Sequence, residues 1–138
     1  MILCRGCCPN VSEETSFNEA SLLWSASRAP LLLNVEEYLS QAEPLDPEPL
    51  PHTWDVTSDS IAAWVASRWK ADEFVLLKST GLKPTADLHE ADRQGLVDVH
   101  FPRIAAKVPR ITWCNLLDET MQTQEWLRFG KIVGTPLV

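Results

Sequence analysis

The stretch from Trp54 to Thr80 constrains the fold of this chain more than any other. It carries three N-cap residues in a row, Thr57, Ser58 and Asp59, and then apolar residues at helical spacing from Ile61 to Lys70. Ile61, Val65 and Trp69 fall at i, i+4 and i+8 with Ala62 and Ala66 beside them, which predicts one narrow apolar stripe. After a short turn at Ala71-Asp72, Phe74-Val75-Leu76-Leu77 is apolar without alternation, the pattern of a strand buried on both faces of a parallel sheet. A helix returning into such a strand is the repeating unit of α/β architecture.

The flanking sequence extends this pattern. Ser16-x-x-Glu19 is a capping box that predicts a helix over about 17–28, closed before Pro30. Leu31-Leu32-Leu33 reads as a buried strand, and Asn34-x-x-Glu37 opens another short helix. Residues 41–51, QAEPLDPEPLP, hold four prolines and three acids and read as a connecting loop. Downstream, residues 86–94 are expected to be helical with Gly95 as the stop, and Asp98 to cap a helix holding Phe101, Ile104, Ala105 and Val108. Ile111 to Cys114 is the next strand, Asp118 to Phe129 is helical in composition, and Thr135 to Val138 is an edge strand because Pro136 cannot join a central ladder. The expected fold is therefore α/β, a three-layer αβα arrangement with a mainly parallel sheet. Residues 1–18 are read as a tail and 19–138 as the domain.

Composition narrows the partners. With 12 Lys+Arg against 19 Asp+Glu in 138 residues, the net charge is −7. Nucleic acid is not expected as a partner, because phosphate contacts need an excess of cations, and a polybasic membrane patch is equally absent. No run reaches the ~20 apolar residues of a spanning helix, and the first eight residues are too short and interrupted for a secretory signal, so a cytoplasmic protein is expected. Cys4, Cys7 and Cys8 contain a C-x-x-C pair, half of a zinc or redox site, without two further ligands at suitable spacing.

Two places could carry chemistry. Asp55 to Ser60 opens a helix whose free N–H groups and positive dipole end favour an anion, although two aspartates there would repel a bare phosphate unless they hold Mg2+ or orient a lysine. An over-decorated N-cap is the bland alternative. Lys78-Ser79-Thr80 lies at the carboxyl end of the predicted strand, where open α/β sheets bind ligands, but Lys78 could equally emerge into solvent. Trp54 is the tryptophan placed to wall a ligand, whereas Trp64 and Trp69 read as core and Trp113 continues a strand. His52, His89 and His100 form no spacing pattern, and no dinucleotide, P-loop or serine-hydrolase motif is present.

The run WDVTSDSIAAWVASRWKADEFVLLKST resembles the carboxy-terminal half of the amino acid kinase family, in its uridylate-kinase-like branch. Thr57-Ser58-Asp59-Ser60-Ile61-Ala62-Ala63 is similar to that branch's T-T-D-S-A-A helix start, Leu77-Lys78-Ser79-Thr80 to its L-K-A-T motif, and Pro84-Thr85-Ala86-Asp87 to its F-T-A-D segment. Leu96-Val97-Asp98, Arg110–Leu116 and Gly134 to Val138 resemble later family elements, so the likeness spans about residues 20–138. It implies the nucleotide-binding half of a carbamate kinase-like fold, ATP and Mg2+ as cofactors, a small anionic metabolite as phosphate acceptor, and a homo-oligomer as an available assembly. It implies Asp59 as the catalytic aspartate that organises phosphoryl-transfer lysines. Lys78, Ser79, Thr80 and Asp87 would lie on the ATP side, with Trp54, Asp55, Thr57 and Ser58 lining the acceptor pocket. The family's first-half K-x-G-G-S strand and glycine loops have no counterpart among the five glycines here. The expected activity is thus a truncated phosphotransferase, weak or inactive alone; the alternative is a non-catalytic homologue that keeps nucleotide binding.

Overall fold

The computed structural model describes residues 12–14 and 31–129, and the chain divides inside its proline-rich segment into two units, Met1–Pro49 and Leu50–Val138. In the first unit, strand β1 (Ser12–Glu14) pairs in parallel with β2 (Leu31–Leu33), so part of the segment read as a tail is a strand. Leu32 and Leu33 are half-buried rather than enclosed on both faces. Helix α1 (Val35–Ala42) starts as its capping pattern requires, with Asn34 Oδ1 accepting from the Glu37 N–H at 3.3 Å, and it buries Tyr38. It tightens into a 3-10 turn at Glu43–Leu45, where Pro44 has no N–H to continue an α-helix. The helix expected over 17–28 and the strand expected at 135–138 lie outside the described residues.

The second unit contains α2 (Ser58–Arg68), β3 (Phe74–Lys78), α3 (Leu88–Arg93), α4 (Phe101–Ala105), β4 (Arg110–Asn115) and β5 (Thr123–Arg128). Its sheet runs β3-β4-β5. β3 and β4 are parallel, from Phe74 opposite Ile111 to Lys78 opposite Asn115, with α3 and α4 in the crossover. β5 is antiparallel to β4, with a shift of register between Ile111 and Thr112. This small α/β domain therefore has a mixed sheet, where a mainly parallel one was expected.

β5 also corrects the reading of residues 118–129 as helical. Glu, Gln, Leu and Arg are good helix formers, but Asp118 caps a turn instead, its Oδ1 accepting from Thr120 N at 2.9 Å and from Thr120 Oγ1 at 2.7 Å. The turn reverses the chain beside β4, and burial of Trp126 overrides the weak helical preference of the segment.

Aromatic packing fixes the core. Phe101 lies 6.2 Å from both Phe74 and Trp126, nearly parallel to the latter, and Trp126 meets Trp113 edge-on at 5.5 Å. Both indoles also hold the loop between β3 and α3. Trp113 Nε1–H donates to the Thr80 carbonyl at 2.8 Å, and Trp126 Nε1–H to the Ala86 carbonyl at 2.6 Å. At the end of that loop Asp87 caps α3 by accepting from Glu90 N at 2.7 Å, and Gly95, at φ +68°, ends the helical segment as expected.

Helix α4 packs against both α2 and α3 on the side of the sheet that carries Phe74, Leu76, Ile111 and Trp113. On the other side Val75 and Leu77 are 42% and 38% exposed, so among the described residues no helix covers this face of β3, while Thr112 and Cys114 of β4 beside them are buried. The buried face of α2 is Ser60, Ala63 and Trp64, and not the Ile61–Val65–Trp69 stripe that the spacing predicts. The helix is apolar almost all round, so periodicity cannot select its inner face, and contacts made at its N-terminus do.

Replacing Trp126 by Phe keeps much of the ring packing and leaves the Ala86 carbonyl without its indole donor. The expected loss is about 1–3 kcal/mol, read as a lower Tm by scanning calorimetry. Amide exchange should accelerate around residues 83–90; unchanged exchange there would contradict the staple.

Candidate functional site

The site forms where the first turn of α2 meets the carboxyl end of β3. Thr57 is the N-cap, with extended backbone, and its carbonyl accepts the first helical hydrogen bond from Ile61 N at 3.1 Å. Asp59, two residues into the helix, turns its carboxylate to β3, where Lys78 Nζ donates to Asp59 Oδ2 at 2.5 Å. Their side chains are 21% and 14% exposed, so the pair is mostly sheltered while one edge stays open to solvent. An aspartate in the first turn also sits well against the helix dipole.

Thr57 does not cap its own helix with its side chain. Asp98, in the loop before α4, does so from outside. Its Oδ2 accepts from Thr57 N at 3.1 Å, Thr57 Oγ1 at 2.8 Å and Ser60 N at 3.1 Å. Its Oδ1 accepts from Ser60 Oγ at 2.5 Å and from His100 N and Phe101 N, both at 3.0 Å. A carboxylate offers about four lone-pair sites, so the acceptor capacity of Asp98 is filled. Burial pushes the Asp98 carboxyl up, but hydrogen bonds from the Ser60 and Thr57 hydroxyls and N–H groups outweigh it and hold the group below its ordinary value of 3.8.

The structure brings together Asp59 and Lys78, which the sequence offered as separate candidates. The Thr57 hydroxyl and N–H both donate to Asp98. Ser58 is exposed at the first helical position, and Trp54 and Asp55 are exposed in the preceding turn, where Trp54 walls no cavity of its own. Ser79 and Thr80 are exposed just beyond Lys78, and the Thr80 carbonyl is taken by Trp113. Asp87 is spent as the cap of α3.

Asp98 is the residue that sequence reasoning underestimated. Its spacing to Phe101 marks it as a cap, and its carboxylate does accept from Phe101 N although His100 holds the N-cap position, but nothing local signals a partner 38 to 41 positions away. Gly81 supplies no close-approach cradle either, since a Cβ there would meet Asn115 Nδ2 at an ordinary 3.9 Å. Among the described residues no group of three His, Cys, Asp or Glu side chains could hold a metal ion.

The lowered Asp98 value has a direct consequence for acid stability. A carboxyl with a depressed folded-state pKa stabilises fully above its unfolded value, and the contribution disappears as pH falls through the folded value. Asp98→Asn should therefore lose about 2–4 kcal/mol near neutrality, through donors left without the carboxylate. Denaturant midpoints measured from pH 7 to pH 2 should converge for variant and wild type only below the ordinary carboxyl value of 3.8. A gap between them that is independent of pH would refute the assignment. No family model, curated protein or solved structure matches this chain, so the functional reading rests on its residues and their geometry.

Proposed function

We propose that this chain is the nucleotide-binding part of an ATP-dependent phosphotransferase of the amino acid kinase type, acting on a small anionic metabolite or a uridylate-type acceptor. The observation that carries this reading is the Lys78–Asp59 pair at the carboxyl end of β3. The resemblance places the lysine on the ATP side and makes the aspartate an organiser of lysines, and their pairing supports both roles at once. Phosphoryl transfer depends mainly on positioning and charge neutralisation. A fixed lysine can meet phosphate as a point charge, and Asp59 can hold it there or share a carboxylate with nucleotide-borne Mg2+. In the three-layer carbamate kinase-like fold that this reading implies, a second helical layer would pack over the exposed Val75 and Leu77.

One observation favours the second reading, a non-catalytic homologue that retains nucleotide binding. Asp98 already satisfies N–H groups at the start of α2, so an internal carboxylate stands where a phosphate would otherwise be received. Together with the missing glycine loops, this supports weak MgATP binding and little or no turnover by the chain alone.

Calorimetry with MgATP separates these outcomes. Weak binding is expected, and Asp59→Ala or Lys78→Ala should reduce it by at least about tenfold, since hydrogen bonds to charged groups are worth about 1.5–3 kcal/mol. Equal affinity in wild type and both variants would remove the site. Binding without phosphate transfer in a single-turnover assay with candidate acceptors would select the non-catalytic form.

A further inference from the structure

We infer that Asp98 is a positioning residue for the Lys78–Asp59 pair, setting the geometry of the candidate phosphate site from a different part of the chain. The two residues it grips, Thr57 and Ser60, flank Asp59 on either side. Fixing the N-cap and the third helical residue together fixes both the axial position and the rotation of the first turn of α2. Ser60 is completely buried, so that turn cannot rotate without withdrawing a polar hydroxyl from the Asp98 carboxylate that accepts from it. With the turn fixed, Asp59 is delivered to Lys78, whose own position is set by the parallel pairing of β3 with β4. Asp98 is itself held by His100 N and Phe101 N, at the start of the helix whose Phe101 is wedged between Phe74 and Trp126. The aromatic core thus reaches the candidate site through one carboxylate.

The functional meaning of this coupling rests on the phosphotransferase reading, but the coupling itself can be measured without nucleotide. Trace acetylation with acetic anhydride, read by mass spectrometry, reports how protected each lysine is, with exposed Lys70 and Lys83 as internal references. Asp59→Asn frees Lys78 from its partner and should raise its relative labelling several-fold. If Asp98 acts through Asp59, Asp98→Asn should raise Lys78 labelling toward the same level, and the double variant should label no faster than Asp59→Asn alone. Wild-type protection of Lys78 in Asp98→Asn, or a double variant in which the two effects multiply, overturns the inference. Should Asp98→Asn fail to fold by near-ultraviolet circular dichroism, Thr57→Val and Ser60→Ala carry the test. Each removes one hydroxyl donor and leaves the backbone donors, so a smaller rise in Lys78 labelling supports the coupling and wild-type protection in both overturns it. Failure of MgATP to bind would sink the phosphotransferase reading and leave these labelling results standing.

Discussion

The carboxylate of Asp98 is the contact on which the second unit depends. It joins four backbone or side-chain donors near the start of α2 to two N–H groups at the start of α4, elements that are far apart in sequence. A helix N-terminus leaves its first N–H groups without intrahelical partners, and a negative charge is the best answer to them. One residue supplies that answer to two helices. The inward face of α2 follows from it, because the bond to the buried Ser60 hydroxyl turns Ser60, Ala63 and Trp64 inward.

The two buried tryptophans perform a second task of the same kind. Trp126 stacks on Phe101 and meets Trp113, and both indoles use their N–H groups to hold carbonyls at both ends of the loop after β3. A loop of Pro, Thr, Lys and Gly would otherwise be free to move. Here the segment that begins at Lys78 and ends at the Asp87 cap is tied to the sheet at Thr80 and Ala86. The candidate site is consequently built on a strand end, a helix start and a stapled loop, each fixed by a different buried group.

These contacts also shape the functional reading. The helix start that could receive a phosphate is already satisfied by Asp98, while the cation that could meet one, Lys78, is held by Asp59 with one edge open. A site of this kind has its charges placed and its backbone donors occupied. Under the proposed reading, such a site would meet a phosphate through side chains rather than through backbone amides.

Much of the second unit was legible in the sequence because its signals are local. The apolar run of β3, the cap at Asp87, the Asp98 carboxylate that receives the Phe101 N–H, and the stop at Gly95 each depend on neighbours within a few residues. Asp59 and Lys78 were both identifiable as candidates from their places at a helix start and a strand end. What could not be read was long-range. Thr123 to Arg128 has the composition of a helix and becomes a strand because β4 offers a ladder and the core accepts Trp126. The α2 stripe was misassigned because a helix apolar on nearly every side has no preferred face until a partner grips it. By itself the sequence determined the local signals, the apolar run of β3, the caps and the stop at Gly95, and which charged residues lie beside them. Only the tertiary structure decided that Asp98 would consume the donors at Thr57 and Ser60 and leave Asp59 for Lys78, since hydrogen bonds across some forty residues are chosen by packing and leave no periodic trace in the chain.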